Sequence, residues 1–289
     1  MSSQYPIIAV TGSSGAGTTT TGRAFSKLFA SEGLRAATVS GDSFHRYTRE
    51  QMSRVAARGR YGDFNHFALD ANHIEKLEAL FQDFGATGTG QYREYVHDED
   101  RELIAAGYEP GSFTPWQSLP PDCDLLFYEG LHGGIATDRY NVADHVDLLI
   151  GVVPIVNLEW IQKIHRDTNY RGYREGEVVE TIINRMDDYV QDIVPQFSNT
   201  HINFQRVPTV DTSNPFVVRE VPTDDESMIV IHFRHYMEVD FQRLLQMISG
   251  SFMSRQDTLV IPGPKLPLAI DLILRPRLLE LMEHKRYAW

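Results

Sequence analysis

Phosphoryl transfer needs a carboxylate to take a proton from a hydroxyl, a second carboxylate for a divalent cation, and positive charge around the moving group. The chain carries candidates for each. Asp42 follows a short apolar run, Glu129 ends another, and Lys163, Arg166 and Asp167 lie within five residues. The stretch Gly12-Ser13-Ser14-Gly15-Ala16-Gly17-Thr18-Thr19 has the spacing of a loop whose backbone N–H groups cradle phosphates ahead of a helix N-terminus. Thr18 stands where that motif usually has lysine, and Thr19 supplies the metal-binding hydroxyl. The missing cation must therefore come from elsewhere, and Lys163 and Arg166 are the candidates to supply it.

These residues act together only if the fold gathers them. The apolar run from Pro6 to Val10 predicts a strand leading into the glycine-rich loop, and Phe25, Leu28 and Phe29 recur at helical spacing between Thr20 and Ala30. Ala36 to Val39 reads as a second strand ending near Asp42. Leu125 to Tyr128 and Val146 to Val153 read as buried central strands, the first ending at Glu129. A helix with Ile74, Leu77, Leu80, Phe81 and Phe84 on one face is expected to stop at Gly85, and residues 88–100 to form a loop or short hairpin. Asn157 to Arg166 and Glu177 to Val194 are helical by pattern, Met228 to Phe233 and Leu259 to Ile261 are strands, and Lys265 to His284 is a helix interrupted by Pro267 and Pro276. Alternating strands and helices predict an α/β fold with a mainly parallel sheet, mixed at the edge and flanked by helices, whose ligands sit at the carboxyl ends of the strands. The 289 residues are expected to form a single domain, 1–289, with inserted segments.

A formal net charge of −12 argues against a nucleic-acid partner, which needs a broad basic face. Arg46, Arg49, Arg54, Arg58 and Arg60 nevertheless cluster just after Asp42, as a small anionic ligand would require. No apolar run approaches the roughly 18 residues that span a bilayer, and no signal-like segment precedes the first strand, so no membrane partner and a cytoplasmic location are expected. The lone Cys123 fits a reducing compartment.

Several motifs resemble bacterial phosphoribulokinases of the phosphoribulokinase/uridine kinase-like family of P-loop kinases. They are the lysine-free Gly12 to Thr19 loop, Gly41-Asp42-Ser43-Phe44-His45-Arg46, Tyr95-Val96-His97-Asp98, Phe127 to His132, Asn157 to Asp167, and Val210 to Phe216. The resemblance covers nearly the whole chain. It implies a nucleotide-monophosphate-kinase-like fold and transfer of the ATP γ-phosphate, with Mg²⁺, to the C1 hydroxyl of ribulose 5-phosphate. It further implies Asp42 as base, Glu129 as the metal-site acid with Thr19, Asp42 and Asp167 near the metal, and Lys163 and Arg166 on the phosphoryl group. His45, Arg49, Arg171, Tyr95 and His97 would hold the sugar phosphate. Bacterial members form homo-oligomers and respond to NADH through remote arginines; Arg255 matches one of these, and His232 stands in place of another. Photosynthetic members carry a lysine beside the methionine after the arginine pair, whereas Ser53 follows Met52 here. A uridine-kinase-like enzyme or another sugar-phosphate kinase on the same scaffold, and a non-catalytic nucleotide-dependent switch, are the alternatives.

Overall fold

The computed structural model describes residues 4–13, 18–58, 64–218 and 220–287. The first half runs β1 (Ile7–Thr11), α1 (Thr18–Ser31), β2 (Ala36–Ser40), α2 (Arg49–Arg58), α3 (Ile74–Thr87), β3 (Gln91–Tyr92), α4 (Arg101–Ala105), β4 (Gln117–Ser118) and β5 (Leu125–Gly130). The second half runs β6 (Leu148–Val152), α5 (Val156–Asn169), α6 (Glu175–Asn184), α7 (Met186–Asp188), β7 (Ile202–Pro208), β8 (Ser227–Phe233), α8 (Phe241–Met247), β9 (Phe252–Arg255), β10 (Thr258–Pro262) and α9 (Leu266–Tyr287).

Eight strands form one sheet in the order β2-β5-β1-β6-β7-β8-β10-β9. Pairing is parallel from β2 through β7 and antiparallel from β7 to β9, the mixed edge expected. The central strands are buried on both faces, which is why they read as unbroken apolar runs. Ile8, Val10, Leu125 and Phe127 turn to the layer containing α1 and α9, while Ile7, Ala9, Leu126 and Tyr128 turn to the layer containing α3. Each apolar side chain fully withdrawn from water in these layers contributes about 1.5–3 kcal/mol. Together they give the sheet a rigid floor from which the strand ends project.

Several boundaries differ from the sequence reading. Helix α3 continues through Gly85 to Thr87 and ends at Gly88, whose φ of 70° is the left-handed conformation that glycine adopts without penalty. Helix α9 is continuous: Pro267 falls in the first turn, where its missing N–H costs nothing, and Pro276 sits inside the helix. Arg275, beside that proline, ties α9 to α1 through Glu32. The expected helix from Glu177 to Val194 is divided into α6, α7 and a π turn at Tyr189–Ile193. The strand after residue 88 pairs with β4 in a separate small sheet, and β7 was not anticipated.

The strand ends nearest the glycine-rich loop approach one another closely. A Cβ placed on Gly41 would lie 2.8 Å from the Gly130 Cα and 2.6 Å from the Tyr128 hydroxyl, and one on Gly130 would lie 2.6 Å from the Gly41 Cα. Backbone cannot yield as a side-chain tip can. Gly130→Ala is therefore expected to lower stability by about 1–3 kcal/mol, read as a fall in the urea midpoint; an unchanged midpoint would show that these two turns can separate freely.

Candidate active site

Parallel register places Glu129 between Ser40 of β2 and Val10 of β1, so the tips of three strands lie side by side. The chain leaves β2 in a tight turn, Gly41–Phe44, whose first amide groups are capped by the Ser40 hydroxyl accepting from the Asp42 N–H at 3.3 Å. Arg93 braces this turn from outside, donating to the Ser43 carbonyl at 2.9 Å and to the His45 carbonyl at 2.5 Å, with its guanidinium over the Phe113 ring. The turn presents Asp42 to a cleft of about 630 Å³.

Two imidazoles reach the Asp42 carboxylate, His45 Nε2 at 3.2 Å and His97 Nε2 at 3.4 Å. Burial works against ionisation of Asp42, but hydrogen bonds from His45 and His97 and their positive charge outweigh it and hold the carboxyl well below the usual range. Asp42 thus stays an anion, and 39% of its side chain remains exposed to the cleft, accessible to a hydroxyl. His97 is shifted the other way: its bond to Asp42 raises it despite burial. Two further histidines in this region stay neutral, burial pushing His66 down to about 3 and His132 down to about 4. His132 bonds the Phe67 carbonyl and so is structural.

Across the cleft, α5 carries the cationic group. Its apolar side, with Trp160 and Ile164, packs on Val178 and Ile182 of α6 and on Phe216. The opposite side centres on Asp167, only 6% exposed, which accepts from Lys163 Nζ at 2.5 Å, Arg166 Nε at 2.9 Å and Arg171 at 3.5 Å. Burial disfavours the charged carboxylate, yet Arg166 and Lys163 bring its pKa below the ordinary value. Lys163 is lowered by its own burial and by the neighbouring Arg185 charge, against the pull of Asp167. This is a buried ionic cluster, where each member depends on the others.

The remaining predicted residues fall in four groups. Tyr95, His97, Arg49 and Arg171 line the same cleft as Asp42 and Lys163. Arg49 is engaged there by Asp98 through two bonds of 2.9 and 3.0 Å, which raise its already high pKa. Glu129 lies on the α1 side of the strand ends: a Cβ on Gly22 would collide with its Oε2, so the absence of a side chain in α1 makes room for this carboxylate. Gly12 donates its N–H to the Gly130 carbonyl at 3.2 Å, and Ser13 donates its hydroxyl to Glu159 Oε1. Ser14, Gly15, Ala16 and Gly17 lie outside the described residues, as do the side chains of Thr18 and Thr19. Arg255 is remote, on the edge strand β9.

Arg60 and the side chain of Arg58 lie outside the described residues, and the described part of the arginine run after Asp42 is not one patch. Arg46 pairs with Glu75 and Arg54 with Glu50, leaving Arg49 as its member in the cleft among the described residues. Sequence reasoning missed Glu159 and Arg185. Glu159 stands four residues before Lys163 on α5, a spacing that signals a shared face; burial raises its pKa. Arg185 faces the cleft, over the Phe67 ring, with no carboxylate at ion-pair distance among the described residues; no motif marked it.

The comparisons with known proteins agree with this geometry. The model of the Phosphoribulokinase / Uridine kinase family matches residues 7–213. A chromosomal phosphoribulokinase of Cupriavidus necator is 54% identical over 291 residues, covering 100% of this chain and 99% of that protein. A phosphoribulokinase of Xanthobacter flavus is 55% identical over 291 residues, covering 100% of both. The solved structure of the Rhodobacter spheroides phosphoribulokinase superposes with a TM-score of 0.89 at 48% identity, over 99% of this chain and 100% of that one.

Because His97 is raised above its ordinary 6.5 by Asp42, their bond stabilises the fold fully below that value and is lost as pH rises through the folded one. In Asp42→Asn the His97 midpoint is expected to fall back toward 6.5 in an NMR titration. A midpoint that stays raised would mean that another anion holds the proton.

Proposed function

The chain belongs to the phosphoribulokinase/uridine kinase family, and from that premise we propose how its cleft divides the work of moving the γ-phosphate of ATP to the C1 hydroxyl of ribulose 5-phosphate. The protein is an ATP-dependent kinase that makes ribulose 1,5-bisphosphate. One observation carries the assignment of roles: an ionised, accessible carboxylate on the β2 turn lines the same cleft as Lys163 and Arg166 of α5 and Arg171 just beyond it. Asp42 is the base that receives the C1 hydroxyl proton. Lys163 and Arg166, kept in place by Asp167, face the transferring group and replace the charge that Thr18 does not provide. His45, Tyr95, His97, Arg49 and Arg171 hold the sugar phosphate, an arrangement for which arginine is suited by its planar pair of donors.

The donor set fits Mg²⁺. That ion keeps several waters and is typically bound by one or two carboxylates together with substrate phosphates, so the absence of any group of three metal-type side chains among the described residues is compatible with it. Glu129, whose carboxylate packs over Gly22 in α1, would hold it with Asp42 and the Thr19 hydroxyl. Asp167 is a poorer ligand than the motif implies, because its oxygens already serve Lys163, Arg166 and Arg171. The ion's part in the chemistry is to neutralise charge on the phosphates. One kinase domain and assembly as a homo-oligomer, with no nucleic-acid or membrane partner and a cytoplasmic location, complete the proposal; no described helix is long and apolar enough to cross a membrane.

A phosphorylated acceptor explains the cations better than a nucleoside does, since uridine brings no phosphate to meet Arg49 and Arg171. Ser53 lines the cleft where photosynthetic members are expected to carry lysine, so the sugar phosphate meets one positive charge fewer. A regulatory site for NADH belongs to the same proposal. Arg255, Thr258 and His232 form a cross-strand row at the far edge of the sheet, distant from Asp42.

Release of ADP from MgATP is expected with ribulose 5-phosphate, with neither uridine nor a blank sustaining it, and Asp42→Asn should lower that rate about 10²–10⁴-fold in a folded protein. Equal rates without acceptor would favour the switch. Repeating the assay with NADH tests the regulatory row, since Arg255→Ala should abolish any activation. Lys163→Met is expected to reduce kcat about 10²–10³-fold with little change in the KM for ATP; a normal kcat would require another source for the missing cation.

A further inference from the structure

The glycine-rich loop opens at Gly12, and the two hydroxyl side chains that flank it, Thr11 and Ser13, are each 1% exposed. Ser13 donates to Glu159 Oε1 in the first turn of α5. The Thr11 hydroxyl lies 3.2 Å from both Gln196 Oε1 and the Leu131 carbonyl, either of which can accept its proton. Glu159 and Gln196 are themselves buried.

Gln196 belongs to the short turn Val194–Ser198 that follows the π turn, and its amide is used at both ends. Oε1 accepts from the Gly134 N–H at 3.0 Å, and Nε2 donates to the carbonyls of Leu131 at 3.0 Å and Asp192 at 2.7 Å. Carbonyls have no proton to give, so turning the amide over would set oxygen against two acceptors and an NH₂ against a backbone N–H. One side chain in one orientation thus joins the end of β1, the turn beyond Glu129 and the π turn.

The two contacts come from opposite ends of one stretch of chain. Strands β6 and β7 are parallel neighbours, so residues 153–201 form the crossover between them, with Glu159 near its start and Gln196 near its end. Between these two lie Lys163, Arg166, Arg171 and Arg185, all facing the cleft. Ile164, Val178 and Ile182 form a small apolar cluster that fixes α5 against α6. The hydrogen bonds to Ser13 and Thr11 fix the crossover against the loop.

We infer that Glu159 and Gln196 are positioning residues that hold the two hydroxyls at the root of the phosphate loop and so register the cations of the crossover against the phosphates the loop binds. This rests on the proposed use of the loop for ATP and of Lys163 and Arg166 on the transferring group. A lysine within the loop is placed by the loop's own backbone. Cations on a separate crossover gain that placement only through contacts between the two, and Thr18 makes this chain depend on them. The Ser13 hydroxyl is then spent on α5, leaving its backbone N–H for phosphate.

Glu159→Ala takes the acceptor from Ser13 and is expected to lower kcat about 10–10²-fold, with the KM values for ATP and ribulose 5-phosphate within about threefold of the parent. Glu159→Gln keeps an acceptor oxygen and should restore kcat to within about threefold. Ser13→Ala removes the same bond from the other side, so the double variant Ser13→Ala/Glu159→Ala should be no slower than Glu159→Ala alone. Thr11→Val and Gln196→Ala form the matching cycle at the far end of the crossover. Losses that multiply in the double variants, or a Glu159→Gln as slow as Glu159→Ala, would overturn the inference, because the bond itself would not be what matters. Hydrogen exchange without ligand reads the contact independently of catalysis: amides of α5 should exchange about tenfold faster in Glu159→Ala, with α3 unchanged. Unchanged α5 exchange would overturn the inference even in an active kinase, whereas a parent that releases no ADP in response to ribulose 5-phosphate would sink the kinase reading and leave the exchange result standing. Where Glu159→Ala does not fold, Ser13→Ala decides, since normal kcat and normal α5 exchange in that variant would overturn the inference.

Discussion

Positive charge has to be concentrated where phosphate will arrive, and a protein must hold that charge together before the phosphate is there to neutralise it. In this chain the usual lysine of the glycine-rich loop is replaced by Thr18, so in the proposed reading the requirement falls on α5. Asp167 meets it. A carboxylate with 6% of its side chain exposed gathers Lys163, Arg166 and Arg171, cations that would otherwise repel one another with Arg185 beside them. Taking one partner from such a buried group leaves an uncompensated charge, at a cost of about 3–5 kcal/mol. The position of α5 against α6, through Trp160, Ile164, Val178 and Ile182, is thus coupled to the electrostatics of the cleft.

What could be read in advance followed from how local each signal is. Strands β1, β5 and β6 are covered on both faces, so their apolar runs announce them; β7 alternates buried Ile202 and Phe204 with Asn203, Gln205 and Arg206, and that mixed pattern hid it. Helix α3 was legible by its face but not by its end, because Gly85 is tolerated inside the helix and the left-handed residue is Gly88. Asp42, Lys163 and Asp167 were legible because each belongs to a motif compressed into a few neighbouring residues. Asn72 and His66 were not, since they reach His45 across more than twenty positions of chain, and only the bridge between the β2 turn and the segment before α3 brings them in. Likewise nothing in the sequence around Arg46 and Arg54 showed that Glu75 and Glu50 would claim them.

Asp42 and Asp167 have the same chemistry and different company, and the difference separates their behaviour. Asp167 is surrounded by arginines, which stay charged, and by Lys163, whose own burial lowers its pKa, so it serves as the anion that anchors an ionic cluster. Asp42 is surrounded by imidazoles, which can give up their protons. A carboxylate held down by two imidazoles remains ionised beside incoming phosphate, whose negative charge would otherwise push it toward protonation. In the proposed reading the same imidazoles also hold the sugar phosphate. An arginine pair in place of His45 and His97 would also keep Asp42 charged, but it would not give up a proton as an imidazole can.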